Sequence, residues 1–375
     1  MKNKIMTLLL ILVLLILIIG IIVFCATIYN NLMDEPQENV AYEGTGNVLA
    51  EGINAGKTKD YNNYGQGISN IVDQNVTENV NSNSESGEIN NFFYSQLAGN
   101  QKIIYDKLKE SKQYLKQGNY TIKFGNVFSD LLSSENGSEV LGQDYQTAVE
   151  AFLHDNPDLF YLDVNKMYLN IETTTKFLRT TYNVYISAGK DSNYFSKDFA
   201  SEEQVDEAIV QTEMVKNEVL SELKGDDYKK IRTIHDYIID NTEYDSTYEE
   251  EGIYGIYGAL VKKKSVCEGY AKSVKYLANA AGISCEIMQG TATNTSGQTE
   301  SHAWNCVKLD GVWYLIDPTW DDPIIVGGGY KTEALRYKYF LKGSKSFDND
   351  HVTSYQFSEN GKAFQYPSIS QRDYR

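Results

Sequence analysis

The chain has 375 residues, 42% of them hydrophobic and 23% charged, which is enough to bury a core in more than one domain. Its formal net charge is −17, and no basic stripe offsets it, which argues against a nucleic-acid partner because phosphate would be repelled. Four cysteines occur without a C-x-x-C pair, so a zinc site is not supported; no other metal or cofactor is expected either.

From the N-terminus, Ile5 to Ile28 form 24 consecutive uncharged residues rich in Leu, Ile and Val. As a helix this stretch reaches about 36 Å, enough to cross a hydrocarbon layer of about 30 Å. Lys2 and Lys4 precede it, while Asp34, Glu35 and Glu38 follow. The positive-inside rule then predicts a cytoplasmic N-terminus and an extracytoplasmic remainder. A cleaved signal peptide is the competing reading, weakened by the length of the run and by Phe24, which spoils a small-residue cleavage or lipidation site before Cys25. Residues 1–30 are therefore read as an anchor in the cell membrane.

Residues 31–90 hold twelve Asn, and ten Asp/Glu against two Lys. Such a segment has too little apolar surface to offset its ordering entropy and is read as a flexible linker. Residues 91–200 are read as a smaller α+β region. Leu97, Ile104, Leu108 and Leu115 predict a helix over 93–117, and a second is expected over 143–154 before Asn156-Pro157. Strands are expected at 160–172 and 179–187, with Tyr182, Val184 and Ile186 on one face. Ser201 then opens a helix over 202–224, and Asp226 or Asp227 caps another that runs to about Asn241.

The chemistry lies in residues 201–375. From Cys267 onward, Ala271, Val274, Leu277, Ala278 and Ala281 recur with helical period, and Gly282 is a stop. Cys267 thus falls in the first turn of a helix, where unpaired N–H groups and the macrodipole favour a thiolate. Downstream, S-H-A-W-N-C-V-K-L-D-G-V-W-Y-L-I-D-P-T (301–319) reads as two strands about an Asp310-Gly311 turn. With those two residues as the loop, Leu309 faces Val312 and Trp304 faces Asp317. His302 then lies diagonal to Asp317 on the same face, at about 7–8 Å between backbones, which suits an imidazole–carboxylate hydrogen bond. A slip of one residue would send Asp317 to the far face.

These three residue types support acyl transfer. His302 takes the thiol proton and later gives it to a leaving amine, while Asp317 orients the ring. The Cys267 N–H supplies half of an oxyanion hole, and Tyr244 is the candidate for the other donor. Cys285 and Cys306 leave two readings open. If Gly290 faces Ser301 they oppose each other and form a disulfide in an oxidising exterior; otherwise they are two buried thiols. His154, His235 and His351 lack ligand-like spacing and are read as structural, and Asp348-Asn349-Asp350 as a solvated turn.

The order Cys, His, Asp within V-C-E-G-Y-A, S-H-A-W-N and W-Y-L-I-D-P-T-W-D resembles the transglutaminase-like superfamily of papain-like fold, specifically over residues 228–322. H-D-Y-I-I-D-N-T-E-Y-D (235–245) and Y-G-A-L-V (257–261) are similar to bacterial members. Y-S-Q-L (94–97), H-D-N-P-D-L-F-Y-L-D (154–163), and Tyr339-Phe340 followed by Asp350-His351 resemble parts of such secreted or membrane-anchored proteins. The resemblance implies an α+β core in which a Cys-bearing helix packs on an antiparallel sheet carrying His and Asp. It implies Cys267 as nucleophile, His302 as base and Asp317 as orienting group. It also implies a protein or peptide substrate, with cell-wall peptide among the candidates given the expected topology. The family includes transglutaminases, peptidases, amidases and inactive members. The runner-up reading is accordingly an inactive binding or scaffolding module. Where animal transglutaminases place G-Q before the Cys, this chain has Ser265-Val266, and no calcium loop is readable.

Overall fold

The computed structural model of the protein describes residues 39–43, 91–176, 179–190, 192–248, 252–322, 332–354 and 364–375. The apolar run 5–28 and most of segment 31–90 lie outside these residues. Among the described residues no helix is long and apolar enough to cross a membrane. Within 31–90, Asn39–Glu43 (β1) is a strand, antiparallel to Met167–Lys176 (β3).

The first layer is built by helices Asn100–Ser111 (α1) and Gly137–Asp155 (α2) on a sheet of order β1-β3-β4-β2. Its strands are Ile122–Gly125 (β2), Met167–Lys176 (β3) and Arg179–Ala188 (β4). Val184 and Ile186 are fully buried, with Tyr182 packed beside them. The helix expected over 93–117 is broken into three pieces, with 3₁₀ turns at Tyr94–Gln96 and Lys112–Gln117 flanking α1. A tertiary contact accounts for the break near its start. The buried Asp155 carboxylate accepts the N–H groups of Phe93 at 3.1 Å and Tyr94 at 3.0 Å, and the Tyr105 hydroxyl at 3.0 Å. Those backbone donors are satisfied from outside, so the turn need not continue into the helix. Strand β3 starts later than the spacing predicts because the Asp163 side chain accepts the Asn165 N–H and folds 163–166 into a turn.

Helix Glu202–Glu222 (α3) joins the two halves of the chain. The Ser201 hydroxyl caps it by accepting the Gln204 N–H. Val205 and Ala208 pack into the first core, and Val219 into the second. Asp226 caps the next helix, Asp227–Asn241 (α4), through the Lys229 N–H at 3.0 Å. Its Ile231, Ile234 and Ile238 recur on one face and are fully buried against helix Cys267–Ala280 (α5). A buried ion pair, Lys275 to Glu286 at 2.5 Å, lies where the halves meet, with the ammonium 5.4 Å from the Phe93 ring centroid.

The second sheet runs β10-β7-β8-β9, from Cys285–Thr293 (β7), Thr299–Leu309 (β8), Val312–Ile316 (β9) and His351–Ser354 (β10). Two short parallel strands, Glu243–Tyr244 (β5) and Lys264–Ser265 (β6), stand beside α5. The β8–β9 register is the one the Asp310-Gly311 turn dictates, with Leu309 opposite Val312 and Asn305 opposite Ile316. Both turn residues have positive φ, +49° and +79°, as a tight primed hairpin demands.

The β7–β8 register differs by one residue from the pairing that would oppose the cysteines. Gly290 faces His302, so Cys285 lies opposite Val307 and Cys306 opposite Glu286. Their side chains point to opposite faces, Cys285 into the core under α5 and Cys306 beside Trp304, and both are free thiols. The connecting loop sets this register: the Asn294 side chain accepts the N–H groups of Ser296 and Gln298, closing residues 294–298 between Thr293 and Thr299.

Gly290 admits β10 to the sheet. A Cβ there would lie 2.0 Å from the Val352 carbonyl oxygen and 2.7 Å from the Trp304 ring. Gly290→Ala must therefore push β10 outward and is expected to destabilise the protein by about 1–3 kcal/mol, the usual range for overpacking. Urea unfolding measures this, and an unchanged midpoint and slope would contradict the close approach.

Candidate active site

Cys267 is the first residue of α5, and three neighbouring pieces of chain fix its position. The chain leaves a π-turn at Gly258–Lys262, passes Lys263 in the left-handed region at φ +63°, and runs through β6 to an extended Val266. Ser265 Oγ donates to the Ile253 carbonyl at 2.6 Å. Gly269 allows this packing, since a Cβ there would lie 2.0 Å from Ser265 Oγ and 2.7 Å from the Ile253 carbonyl oxygen. The V-C-E-G-Y pattern thus contains a steric requirement beside the nucleophile. Tyr270 Oη donates to the Thr242 carbonyl and the Asp322 carboxylate, each at 2.9 Å, and locks the helix start to both flanking loops. The helix is held on the sheet by Ala271, Ile287 and Ala303 beside Cys267, and by Asn305 Nδ2 donating to the Ala271 carbonyl at 2.8 Å.

His302 projects from β8 and Asp317 follows the end of β9. The ring nitrogen Nε2 of His302 lies 2.7 Å from Asp317 Oδ2, and Cys267 is within electrostatic reach of the same ring. Cys267, His302 and Asp317 are buried, with relative exposures of 8%, 6% and 0%. The fold therefore brings all three together, in the order thiol, imidazole, carboxylate. Burial opposes a charged His302, but the Asp317 charge and hydrogen bond, helped by Cys267, carry its pKa well above the ordinary imidazole value. Burial likewise opposes the Asp317 carboxylate. The His302 charge and the hydrogen bonds of His302 and His351 outweigh it and hold its pKa well below the usual carboxylate range.

The Asp317 carboxylate is fully engaged. Oδ1 accepts the N–H groups of Thr319 at 3.0 Å and Trp320 at 3.3 Å, and Oδ2 is shared by His302 and by His351 Nε2 at 3.1 Å. His351 thus meets the site directly, a role its spacing in the chain does not reveal. The sequence signal was the Asp350-His351 pair within the family resemblance. His235 also has a specific job. Its Nε2 lies 3.1 Å from Asp321 Oδ2, and Asp321 Oδ1 accepts the Tyr339 N–H at 2.8 Å. The second Asp of D-P-T-W-D therefore ties the loop after Asp317 to α4. Burial lifts the Asp321 pKa to about 6 even though His235 works to lower it.

Tyr244 stands on β5, beside the β6 strand that leads to Cys267. Its hydroxyl lies 3.4 Å from that of Tyr248. Burial first, then the nearby Cys267, raise its pKa, which keeps it a neutral donor. Tyr254 is a second phenol within electrostatic reach of Cys267, raised by burial and by Glu268. Of the lysines just upstream, Lys262 pairs with Asp198 at 2.8 Å and Lys263 donates to Tyr237 Oη at 3.1 Å. His302, Asp317 and His351 each place one donor atom within 4.8 Å of the others, the spacing a metal ion needs. Those same atoms are already joined to one another by hydrogen bonds.

Residues 215–318 match the model of the transglutaminase-like superfamily. The chain is 30% identical to the kyphoscoliosis peptidase of Mus musculus over 150 residues, covering 36% of this chain and 22% of that protein. It is 30% identical to the kyphoscoliosis peptidase of Homo sapiens over 137 residues, covering 33% and 21% respectively. It thus spans about a fifth of the length of these curated relatives. A solved structure of a TGase is similar at 14% identity and a TM-score of 0.29, over 45% of this chain and 48% of that one. The chain carries a transglutaminase-like domain of α+β fold, and the domain contains Cys267, His302 and Asp317.

The His302–Asp317 pair makes stability depend on pH with a known sign. A depressed carboxylate contributes above its unfolded value and loses that contribution as pH falls through its folded value. A raised imidazole contributes below its unfolded value and loses it as pH rises through its folded value. The stability difference between wild type and Asp317→Asn is therefore expected to be largest between about pH 4 and 6.5 and to shrink on either side. Urea titrations across this range test it, and a difference independent of pH would contradict the pairing.

Proposed function

We propose that the protein is an extracytoplasmic, cysteine-dependent acyl-transfer enzyme that acts on peptide or side-chain amides through a thioester. The observation that carries this reading is the buried imidazole of His302, held by Asp317 at 2.7 Å with the Cys267 thiol within electrostatic reach of the ring. The thiolate attacks the amide carbonyl, and negative charge develops on its oxygen. That charge meets the N–H groups at the start of α5, where the helix dipole is favourable, with Tyr244 as the second donor. His302, protonated in the ion pair, delivers its proton to the leaving amine and frees a thioester on Cys267. Water then enters, His302 takes its proton, and the acid is released; an amine in the same place gives a cross-link.

Hydrolysis is the favoured outcome. The curated relatives are peptidases by name, which supports this outcome. The placement outside the membrane rests on the apolar run 5–28 and the charges flanking it, and it makes surface proteins or wall peptides accessible as substrates. An inactive module on the same fold would have no use for a thiol, imidazole and buried carboxylate in one line.

Incubation with a glutamine-bearing protein and a labelled amine distinguishes the two outcomes. Release of shorter peptides or free acid, without label, is expected. Amine incorporation would assign the transferase reaction, and neither product from any peptide library would favour the scaffold. His302→Ala is expected to lower the rate by about 10³-fold or more, as loss of the base does in such sites.

A further inference from the structure

Behind Asp317 lies a second imidazole–carboxylate pair. His351 is buried, at 1% relative exposure, and each of its ring nitrogens faces a carboxylate oxygen: Nε2 to Asp317 Oδ2 at 3.1 Å and Nδ1 to Asp350 Oδ1 at 2.7 Å. An ionised carboxylate only accepts hydrogen bonds, so a ring between two of them satisfies both by carrying a proton on each nitrogen. The rings of Phe347, Trp320, Trp304 and Tyr339 pack around it, with centroids at 4.1, 4.6, 5.2 and 5.2 Å from the imidazole, and fix its place. Other groups set the charge around it. Asp348 is within electrostatic reach, His302 lies 5.6 Å away ring to ring, and Lys338 approaches Asp350 at 3.9 Å. Tyr339 Oη also donates to Asp350 at 2.7 Å, fixing the outer carboxylate.

We propose that His351 is a positioning residue: a doubly protonated imidazole that bridges Asp350 and Asp317 and, through Asp317, holds His302 in register with Cys267. The proposal rests on the reading of Cys267, His302 and Asp317 as the reacting set. The relay is Asp350–His351–Asp317–His302–Cys267, drawn from the turn before β10, β10 itself, the end of β9, β8 and α5. The backbone N–H groups of Thr319 and Trp320 secure one oxygen of Asp317, and among the described residues His351 is the only side chain besides His302 on the other. Without it that oxygen loses half of its partners and the carboxylate can rotate away from His302. The positive charge of His351 is largely matched by Asp350 beside it, so the hydrogen bond rather than the charge is what His302 senses.

The test uses the full-length chain and the rate of iodoacetamide labelling at Cys267, mapped by mass spectrometry, as a function of pH. His302→Ala, His351→Phe and His351→Gln are compared with wild type, with thermal unfolding as the check on folding. His351→Phe keeps the ring volume without a donor. It is expected to slow labelling at pH 6 by about tenfold to a hundredfold, as outer partners of functional histidines do, and to move the acid limb of the profile upward. His351→Gln, which returns a neutral N–H near the position of Nε2, is expected to restore the limb. A merely structural residue would lower the unfolding temperature and leave the profile in place. Should His351→Phe fail to fold, nitrogen NMR of the wild-type imidazole decides: both ring nitrogens protonated at neutral pH supports the bridge, and a neutral ring overturns it. A wild-type profile in His351→Phe overturns the proposal while leaving the catalytic set intact. Labelling of wild type that does not depend on His302 overturns both.

Discussion

A carboxylate taken out of water survives as an anion only if donors replace the water, and Asp317 has four. Two backbone N–H groups hold one oxygen and two imidazoles hold the other. Isolated burial of this charge would cost several kcal/mol, so the donors must be in place together. Much of the second sheet is arranged around that requirement. The primed hairpin puts His302 and Asp317 on one face, Gly290 lets β10 close in, and β10 brings His351. The loop that supplies the backbone donors is itself fixed by Asp321, which joins His235 and the Tyr339 N–H.

The chemistry follows from where the donors point. With His302 Nε2 committed to Asp317, only its other ring nitrogen is left to serve Cys267, which stands at the start of α5 where the helix dipole favours negative charge. Positioning is thus divided between two supports. The helix is set by Ser265, Gly269 and Tyr270 against the loops, and the imidazole by the sheet. The proposed thioester mechanism needs both to hold to a fraction of an ångström, and the polar side chains behind Cys267 and His302 are buried and paired in keeping with that demand.

The parts legible in the sequence were those governed by short-range rules. Asp310-Gly311 admits one hairpin geometry, and a period of two then decides the face of His302 and Asp317. Ser201 and Asp226 announce their helices by capping chemistry. The rest depended on contacts distant in the chain. Residues 93–99 turn away from a helix because of Asp155, some 60 residues later. The loop 294–298 shifts the β7–β8 register by one and separates Cys285 from Cys306, an outcome that hydrophobic alternation cannot signal when both faces are buried. His351 reaches Asp317 across 34 residues, so no local period relates them.

The central proposal is that Cys267 is a nucleophile whose reactivity depends on His302, with Asp317 holding the ring. Its most direct measure is the rate of alkylation at Cys267 in wild type, His302→Gln and Asp317→Asn, with each variant's folding checked by thermal unfolding. The account requires alkylation at pH 6 that falls by about tenfold or more in both folded variants. Equal rates in all three proteins would contradict it.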